Sequence, residues 1–426
     1  MTKVKNLILG AGLSGISFAY FSKDKDDYLV LEKTSNYGGY CQTFLVEDYV
    51  WDYAGHFYHF ETEELRNLFL TLVEEEEKIE RDKNTKIYYK NELVDFPFQM
   101  NIHQLNKEEF IDCLYDLYVK EEKDSYTDFL DMLYGKFGKS ITEKFLKPYN
   151  EKLYATSLRR LDTDAMGRFF PYADFGAIIK NMKKPEFNSY NSKFWYLKQG
   201  AQYFIDKLYN GLEKNKFKFE SEVKGINLNE KFVTTVSGDK IFYENLINTI
   251  PLNLALSLIG GYDELVEEMS YNKVLVFNLG FERASNNYKD EHWIYFPGEE
   301  VPFYRVGFYN NILGQEKLSL YVEIGLDKKS DPDVDKQFKN TIAGLELVGI
   351  KDLDNNLVAY NHVIMDPAYV HINSYTQKKI VSLLADLCGK NFYTLGRYGK
   401  WTYNSMEDSM LWAKELAKKL GEQNAK

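Results

Sequence analysis

The chain opens with a short apolar run, VKNLILG at residues 4–10, too brief for a core helix and bounded by glycine. It reads as a buried strand. Residues 12–22 then carry a helical pattern, and DYLVLE at 27–32 reads as a second strand. Strand, helix and strand in so few residues predict a βαβ opening and the start of a parallel sheet. Further on, 62–77 (TEELRNLFLTLVEEEE) has the apolar spacing of an amphipathic helix with an acidic end, and 85–98 predicts a hairpin around Lys90-Asn91-Glu92. From 105 to 154 the pattern is helical with a charged outer face, which predicts an inserted helical domain.

Alternation returns at 215–250, with Ser237-Gly238 as a turn, and strands are also expected within 273–282, 293–309 and 318–326. The last helix, 405–421, begins with Ser405-Met-Glu-Asp408, a capping-box pattern. No internal repeat, low-complexity tract or linker interrupts the chain. The parts are expected to interleave: 1–80, 81–104 (a sheet segment), 105–185 (helical), 186–330 (sheet-rich) and 331–426, the last completing the first unit.

Composition narrows the class. Apolar residues make up 44% of 426, enough for two or three cored units, and no run of about 18 apolar residues suggests a membrane span. The N-terminal run ends in glycines rather than a small-residue cleavage site, so a strand is expected there instead of a signal peptide. Three cysteines, Cys41, Cys113 and Cys388, form no framework and suit a reducing cytoplasm. His56 and His59 lack neighbouring ligands in sequence, so no metal is expected. A net charge of −11 argues against nucleic-acid binding but leaves room for an anionic small ligand held by local arginines. No heptad specifies an oligomer, although a homo-oligomer is compatible with the sequence.

The candidate chemistry begins at Gly10-Ala-Gly12-Leu13-Ser14-Gly15. Following a strand and opening a helix, these glycines allow a tight turn, approach of the backbone to a pyrophosphate, and close helix–strand packing. The helix N-terminus offers unpaired N–H groups to phosphate. Glu32 ends the second strand about 20 residues on, where an acid binds ribose hydroxyls, with Lys33 beside it. A second pair, Gly38-Gly39 before Tyr40, favours FAD over NAD. A distal contact is expected from Gly396-Arg397, ahead of the capped last helix and its Met406. The fold class predicted is α/β: a Rossmann-like FAD-binding domain, a helical insertion and a substrate domain of mixed and antiparallel sheet.

Several islands then resemble the UDP-galactopyranose mutases, the eukaryotic-type branch most. Asp52-Tyr-Ala-Gly55-His56-Phe is similar to the family's stretch beside the flavin, and Phe96-Pro-Phe98-Gln99 to a segment at the uracil end of the site. Phe145-Leu-Lys-Pro148-Tyr149-Asn150 resembles Phe-x-x-Pro-Tyr-Asn, and Asn191 with Phe194 a nucleotide-contacting stretch. The closest island is Trp293-Ile-Tyr295-Phe-Pro297 with Pro302-Phe-Tyr304-Arg305. The resemblance implies that Arg168 and Arg305 grip a diphosphate, helped by Tyr295, Tyr369 and Tyr403, and that Gly55, His56 and Tyr403 lie by the flavin. Tyr154 stands where the family has tryptophan, Phe96 where it has tyrosine, and an asparagine expected just after Tyr403 has no clear match.

Two guanidinium groups suit a diphosphate because each forms paired charge-assisted hydrogen bonds. The reaction implied is redox-neutral: pyranose and furanose forms of a nucleotide-diphospho-sugar, by default UDP-galactose, interconvert as N5 of reduced FAD attacks the anomeric carbon, with NADPH or NADH as the initial reductant. No Ser-His-Asp or paired-acid arrangement is evident. The rivals are an FAD-dependent amine or protoporphyrinogen-type oxidase, and a non-enzymatic binding protein of the dissociation-inhibitor kind.

Overall fold

The computed structural model describes residues 2–22, 27–183 and 192–423. The expected opening forms as strand Thr2–Leu9, helix Leu13–Ser22 and strand Tyr28–Leu31, the two strands parallel. Leu7, Ile8, Leu9 and all of Tyr28–Leu31 are buried without alternation, as in a parallel sheet covered on both faces. Lys240–Asn248 lies on the far side of Thr2–Leu9, also parallel, with Phe392–Thr394 along its end. The sheet runs Val223–Asn227, Phe232–Thr235, Lys240–Asn248, Thr2–Leu9, Tyr28–Leu31, Phe217–Lys218.

A second large sheet runs Leu357–Met365, Asn272–Phe281, Ser319–Asp327, Arg305–Phe308, Trp293–Tyr295, Thr85–Tyr89, Glu92–Asp95. Its pairs are antiparallel except Trp293–Tyr295 with Thr85–Tyr89. Asn272–Phe281 is buried almost throughout because it lies inside the sheet. Leu357–Met365, at the edge, leaves Val358, Tyr360 and Ile364 exposed on alternate positions. The mixed α/β fold therefore matches the class expected, with one largely parallel sheet and one largely antiparallel.

Between the strands of these sheets, helices Lys107–Val119, Phe129–Ile141 and Lys147–Tyr154 occupy the stretch with helical patterning. Asn106 and Asp128 cap the first two through side chains that accept backbone N–H groups of Glu109 and Asp131. The second passes through a π-helical turn, Thr142–Leu146, into the third, with Pro148, which has no N–H to donate, directly after the change of helical pitch.

Two expectations of extent need correction. The helix expected to 77 stops at Leu72, Val73 turns extended, and Lys78–Asp82 becomes a strand paired with Lys193–Leu197. Four consecutive glutamates at 74–77 would have repelled one another and opposed the helix dipole there. The 293–309 region is two short strands joined by a loop that contains Pro297 and Pro302. The hairpin turn does fall where expected: Lys90 and Asn91 both take positive φ, 50° and 66°, the conformation of a tight two-residue connection.

Candidate active site

The glycine motif forms a cradle of bare backbone. A Cβ on Gly15 would stand 2.1 Å from the Gly10 carbonyl oxygen, so only glycine lets the helix pack there. Gly12 and Gly38 pair as an isolated bridge, and the Gly38 N–H donates to the Ala11 carbonyl at 2.8 Å. A Cβ on Gly39 would lie 3.2 Å from the Gly12 Cα, so the two glycine segments meet face to face. One Glu32 oxygen accepts the Ala11 N–H at 2.9 Å, and the other accepts the N–H and hydroxyl of Thr34. Lys33 is exposed, and Ser14 is half-buried.

The distal segment reaches the same place. Gly396 has φ +76°, and a Cβ on it would lie 2.3 Å from the Ser14 Oγ. The Tyr40 hydroxyl accepts the Asp366 N–H at 2.8 Å, and its ring touches those of Tyr53 and Tyr398. Ser405 and Asp408 close the expected capping box, with the Asp408 N–H on the Ser405 Oγ at 3.0 Å. The cradle fits a dinucleotide pyrophosphate, because glycine is required where Cβ atoms would fill the approach.

Beside it lies a cavity of about 700 Å³. Gly55 and His56 contribute from one loop, Phe96 and Gln99 from the turn after the Glu92–Asp95 strand, and Phe145 and Asn150 from the helical region. Tyr295 and Arg305 enter from facing strands, and Arg168, Tyr369, Arg397, Tyr403 and Met406 complete the expected set. No aspartate or glutamate lines it among the described residues, although the chain as a whole carries net charge −11.

Register places Arg305 opposite Tyr295 on one side and Glu323 on the other. The guanidinium donates from Nε to Glu323 Oε2 at 3.0 Å and from Nη2 to Oε1 at 2.5 Å. Glu323 is 1% exposed, so this is a buried bidentate pair. Arg168 differs. It sits in the 3-10 turn Gly167–Phe169, bonded to Glu61 at 2.9 Å and to both Asp408 oxygens at 2.9 and 3.0 Å, with its side chain 45% exposed.

Tyr369 stacks on Tyr403 at 6.0 Å, and the Arg397 guanidinium lies 4.7 Å from the Tyr403 ring centre. Burial raises the pKa of Tyr295 and Tyr369, keeping both hydroxyls protonated as donors. His56 is in hydrogen-bond contact with the Ala54 carbonyl at 3.1 Å. Burial, with Arg397 close by, lowers its imidazole to about 4, so the ring is neutral at pH 7.

Some expected residues are elsewhere. Phe98 is fully buried, packed on Tyr89 and Phe145, because the turn at Phe98–Met100 sends it into the core while Gln99 faces the cavity. Tyr154 is also buried, behind Tyr369, and backs the wall instead of lining it. The Leu13 side chain belongs to the core, leaving only its backbone for a ligand. Phe194 is core as well, against Phe57 and His292. Asn191 lies outside the described residues.

The sequence reading passed over other wall residues. Tyr149 joins Phe145 and Tyr295 in an aromatic cluster, a place its own motif could have suggested. Asn404, directly after Tyr403, lines the cavity and is 2% exposed, its Oδ1 without a partner. Lys83, in a polar turn with no motif, lies 5.3 Å from the Phe96 ring centre, its amine lowered to about 8 by burial.

Residues 8–72 match the family model of an NAD(P)-binding Rossmann-like domain. Among solved structures, reduced UDP-galactopyranose mutase superposes with a TM-score of 0.91 at 22% identity, covering 98% of this chain and 95% of that one. A protein named as a protoporphyrinogen oxidase, from Exiguobacterium sp. 255-15, gives 0.75 at 15% identity over 99% of both chains. A redesigned putrescine oxidase gives 0.64 at 13% identity, again over 99% of both. The chain therefore has the fold of UDP-galactopyranose mutase along nearly its whole length, with a Rossmann-like dinucleotide-binding segment at its start.

Proposed function

We propose that this protein is a flavin-dependent isomerase that interconverts the pyranose and furanose forms of a nucleotide-diphospho-sugar, with UDP-galactose as the default substrate. The observation that carries the reading is the cavity itself: Arg168 and Arg305 line one wall system free of carboxylates, with Tyr295, Tyr369 and Tyr403 among them. Charge-assisted anchors and neutral donors suit a diphosphate, and the cavity supplies both, with Arg397 and Lys83 adding further positive charge to its lining.

FAD would be held by Gly12, Gly15, Gly39 and Glu32 at the cradle and by Gly396-Arg397 at its distal side. When bound and reduced it would supply a nucleophilic nitrogen for the anomeric carbon, with NADPH or NADH as reductant. The chain's own task is then positional. Arg305, fixed by Glu323, takes a phosphate oxygen in a set direction. The protonated tyrosines donate to the remaining oxygens. These contacts retain the nucleotide diphosphate while its bond to the sugar is broken and remade. Neutral His56 adds no charge beside Arg397 and Arg305. With no carboxylate in the wall, acid–base chemistry by a pair of acids is not part of this reading.

The oxidase-type structures of similar fold favour a second reading, oxidation of an amine or porphyrinogen. Dithionite-reduced protein offered a small panel of nucleotide sugars, with products resolved by chromatography, separates the two. Pyranose–furanose conversion without net redox change is the outcome expected. Oxygen consumption with an amine or porphyrinogen, and no isomer from any nucleotide sugar, would overturn the proposal.

A further inference from the structure

Strands Trp293–Tyr295 and Arg305–Phe308 present Tyr295 and Arg305 side by side, and residues 296–304 between them form a loop closed at its ends by the Phe296 N–H on the Tyr304 carbonyl and the Tyr304 N–H on the Glu323 carbonyl. Its carbonyls turn inward, and buried carbonyls need donors. One side chain meets four of them. The Lys152 Nζ lies 3.1 Å from the Phe296 oxygen, 2.7 Å from Gly298, 2.9 Å from Val301 and 2.7 Å from Phe303. No carboxylate forms an ion pair with Lys152 among the described residues. The carbonyl dipoles contact the charge directly, with Glu300 and Glu299 of the same loop favouring it from further off, an arrangement suited to a compact ammonium that can share three hydrogens among four oxygens.

Lys152 belongs to helix Lys147–Tyr154, whose Tyr149, Asn150 and Leu153 line the same cavity, the Tyr149 ring 4.9 Å from that of Tyr295. That helix is itself pinned. A Cβ on Gly325 would stand 2.1 Å from the Lys152 carbonyl oxygen, so the helix lies hard against strand Ser319–Asp327. Asn272 Nδ2 donates to the Leu153 carbonyl at 2.5 Å, and the His371 ring contacts the Tyr154 carbonyl at 2.9 Å. The loop buries Phe296, Val301 and Phe303 in the core, and the pinned helix adds a polar tie to its backbone, so that the loop sets where Tyr295 and Arg305 stand relative to Tyr149 and Asn150.

We propose that Lys152 is a positioning residue for the nucleotide site: its ammonium gathers the 296–304 carbonyls and so fixes how the loop that carries Tyr295 and Arg305 at its ends seats against helix Lys147–Tyr154. The inference rests on the nucleotide-sugar reading above. Lys152 touches no reacting atom, so its loss should affect binding more than turnover.

The test uses FAD-loaded protein with UDP as the probe, read by titration calorimetry, together with steady-state kinetics on the nucleotide sugar. Lys152→Met keeps the length of the side chain and removes the donor. Its UDP affinity should fall at least ~10-fold and KM rise in parallel, with kcat within about threefold and the FAD content and absorbance spectrum unchanged. UDP affinity within about twofold of wild type in that folded variant would overturn the inference alone; wild-type protein that binds no UDP would overturn it together with the reading beneath it. Should Lys152→Met fail to fold, Lys152→Arg decides. A planar guanidinium cannot gather four oxygens about one point, so weakened UDP binding supports the proposal and unchanged binding refutes it.

Discussion

Arg305 and Arg168 line one cavity from two kinds of ground. Arg305 projects from an interior strand of a sheet, largely covered, with a buried carboxylate held beside it by strand register. Arg168 comes from a short turn, half exposed, and its partners Glu61 and Asp408 belong to distant parts of the chain. The ordering cost of the first is met on folding. Under the proposed function, the second would exchange carboxylates for phosphate oxygens when the ligand arrives. The difference teaches that one cavity can combine a fixed cation, whose direction the sheet sets, with one whose partners are exchangeable, and on the proposed function these would be the two anchors of the diphosphate.

The strongest way to break this comparison is Arg305→Ala. UDP affinity should fall on the order of 100-fold. Because Glu323 is left as an uncompensated buried charge, the protein should also lose about 3–5 kcal/mol of stability. Calorimetric titration and chemical denaturation check the two halves. An affinity near wild type would mean that Arg305 serves the fold alone.

Arg168→Ala should weaken UDP by roughly tenfold while stability stays within about 1 kcal/mol, since exposed ion pairs contribute little. Glu61→Gln should act in the opposite direction on binding, tightening UDP by about two- to threefold by releasing one competitor for Arg168. If both variants weakened UDP equally, Glu61 would be supporting the site and the exchange picture would fail.

The smallest effect sharpens the buried side. His56 titrates near 4 folded against 6.5 in its ordinary state. Between those values the unfolded chain binds more protons, so stability should fall as pH drops from about 6.5 towards 4. His56→Gln should remove up to one proton from the uptake on unfolding at pH 5, measured by denaturation across pH. An unchanged uptake would place His56 in a more solvated setting than the cavity wall.

Legibility followed locality. The glycine cradle was readable because its spacing within Gly10–Gly15 is local, Gly15 meeting the Gly10 carbonyl five residues back, although Gly39 and Gly396 answer to Gly12 and Ser14 across the fold. The capping box at Ser405 and the hairpin turn at Lys90-Asn91 were readable for the same reason. Sidedness was harder: Phe98 and Gln99 are adjacent, and only the turn decides which of them enters the core. Asn404 stands directly after Tyr403, where the sequence reading expects an asparagine but gives it no clear match, and its place in the cavity lining corrects that reading.

By itself, then, the sequence determined the βαβ opening, the helical stretch from 105 to 154, the run of aromatic and arginine positions around Tyr295 and Arg305, and the acidic charge that any anion site must overcome. Tertiary structure alone decided that Glu323 lies beside Arg305, that Glu61 and Asp408 hold Arg168, and that four carbonyls converge on Lys152. Those are matters of strand register and backbone direction between segments far apart in the chain. Local patterning selects an element and its buried face, but the partner across the gap is set only when packing brings the two together.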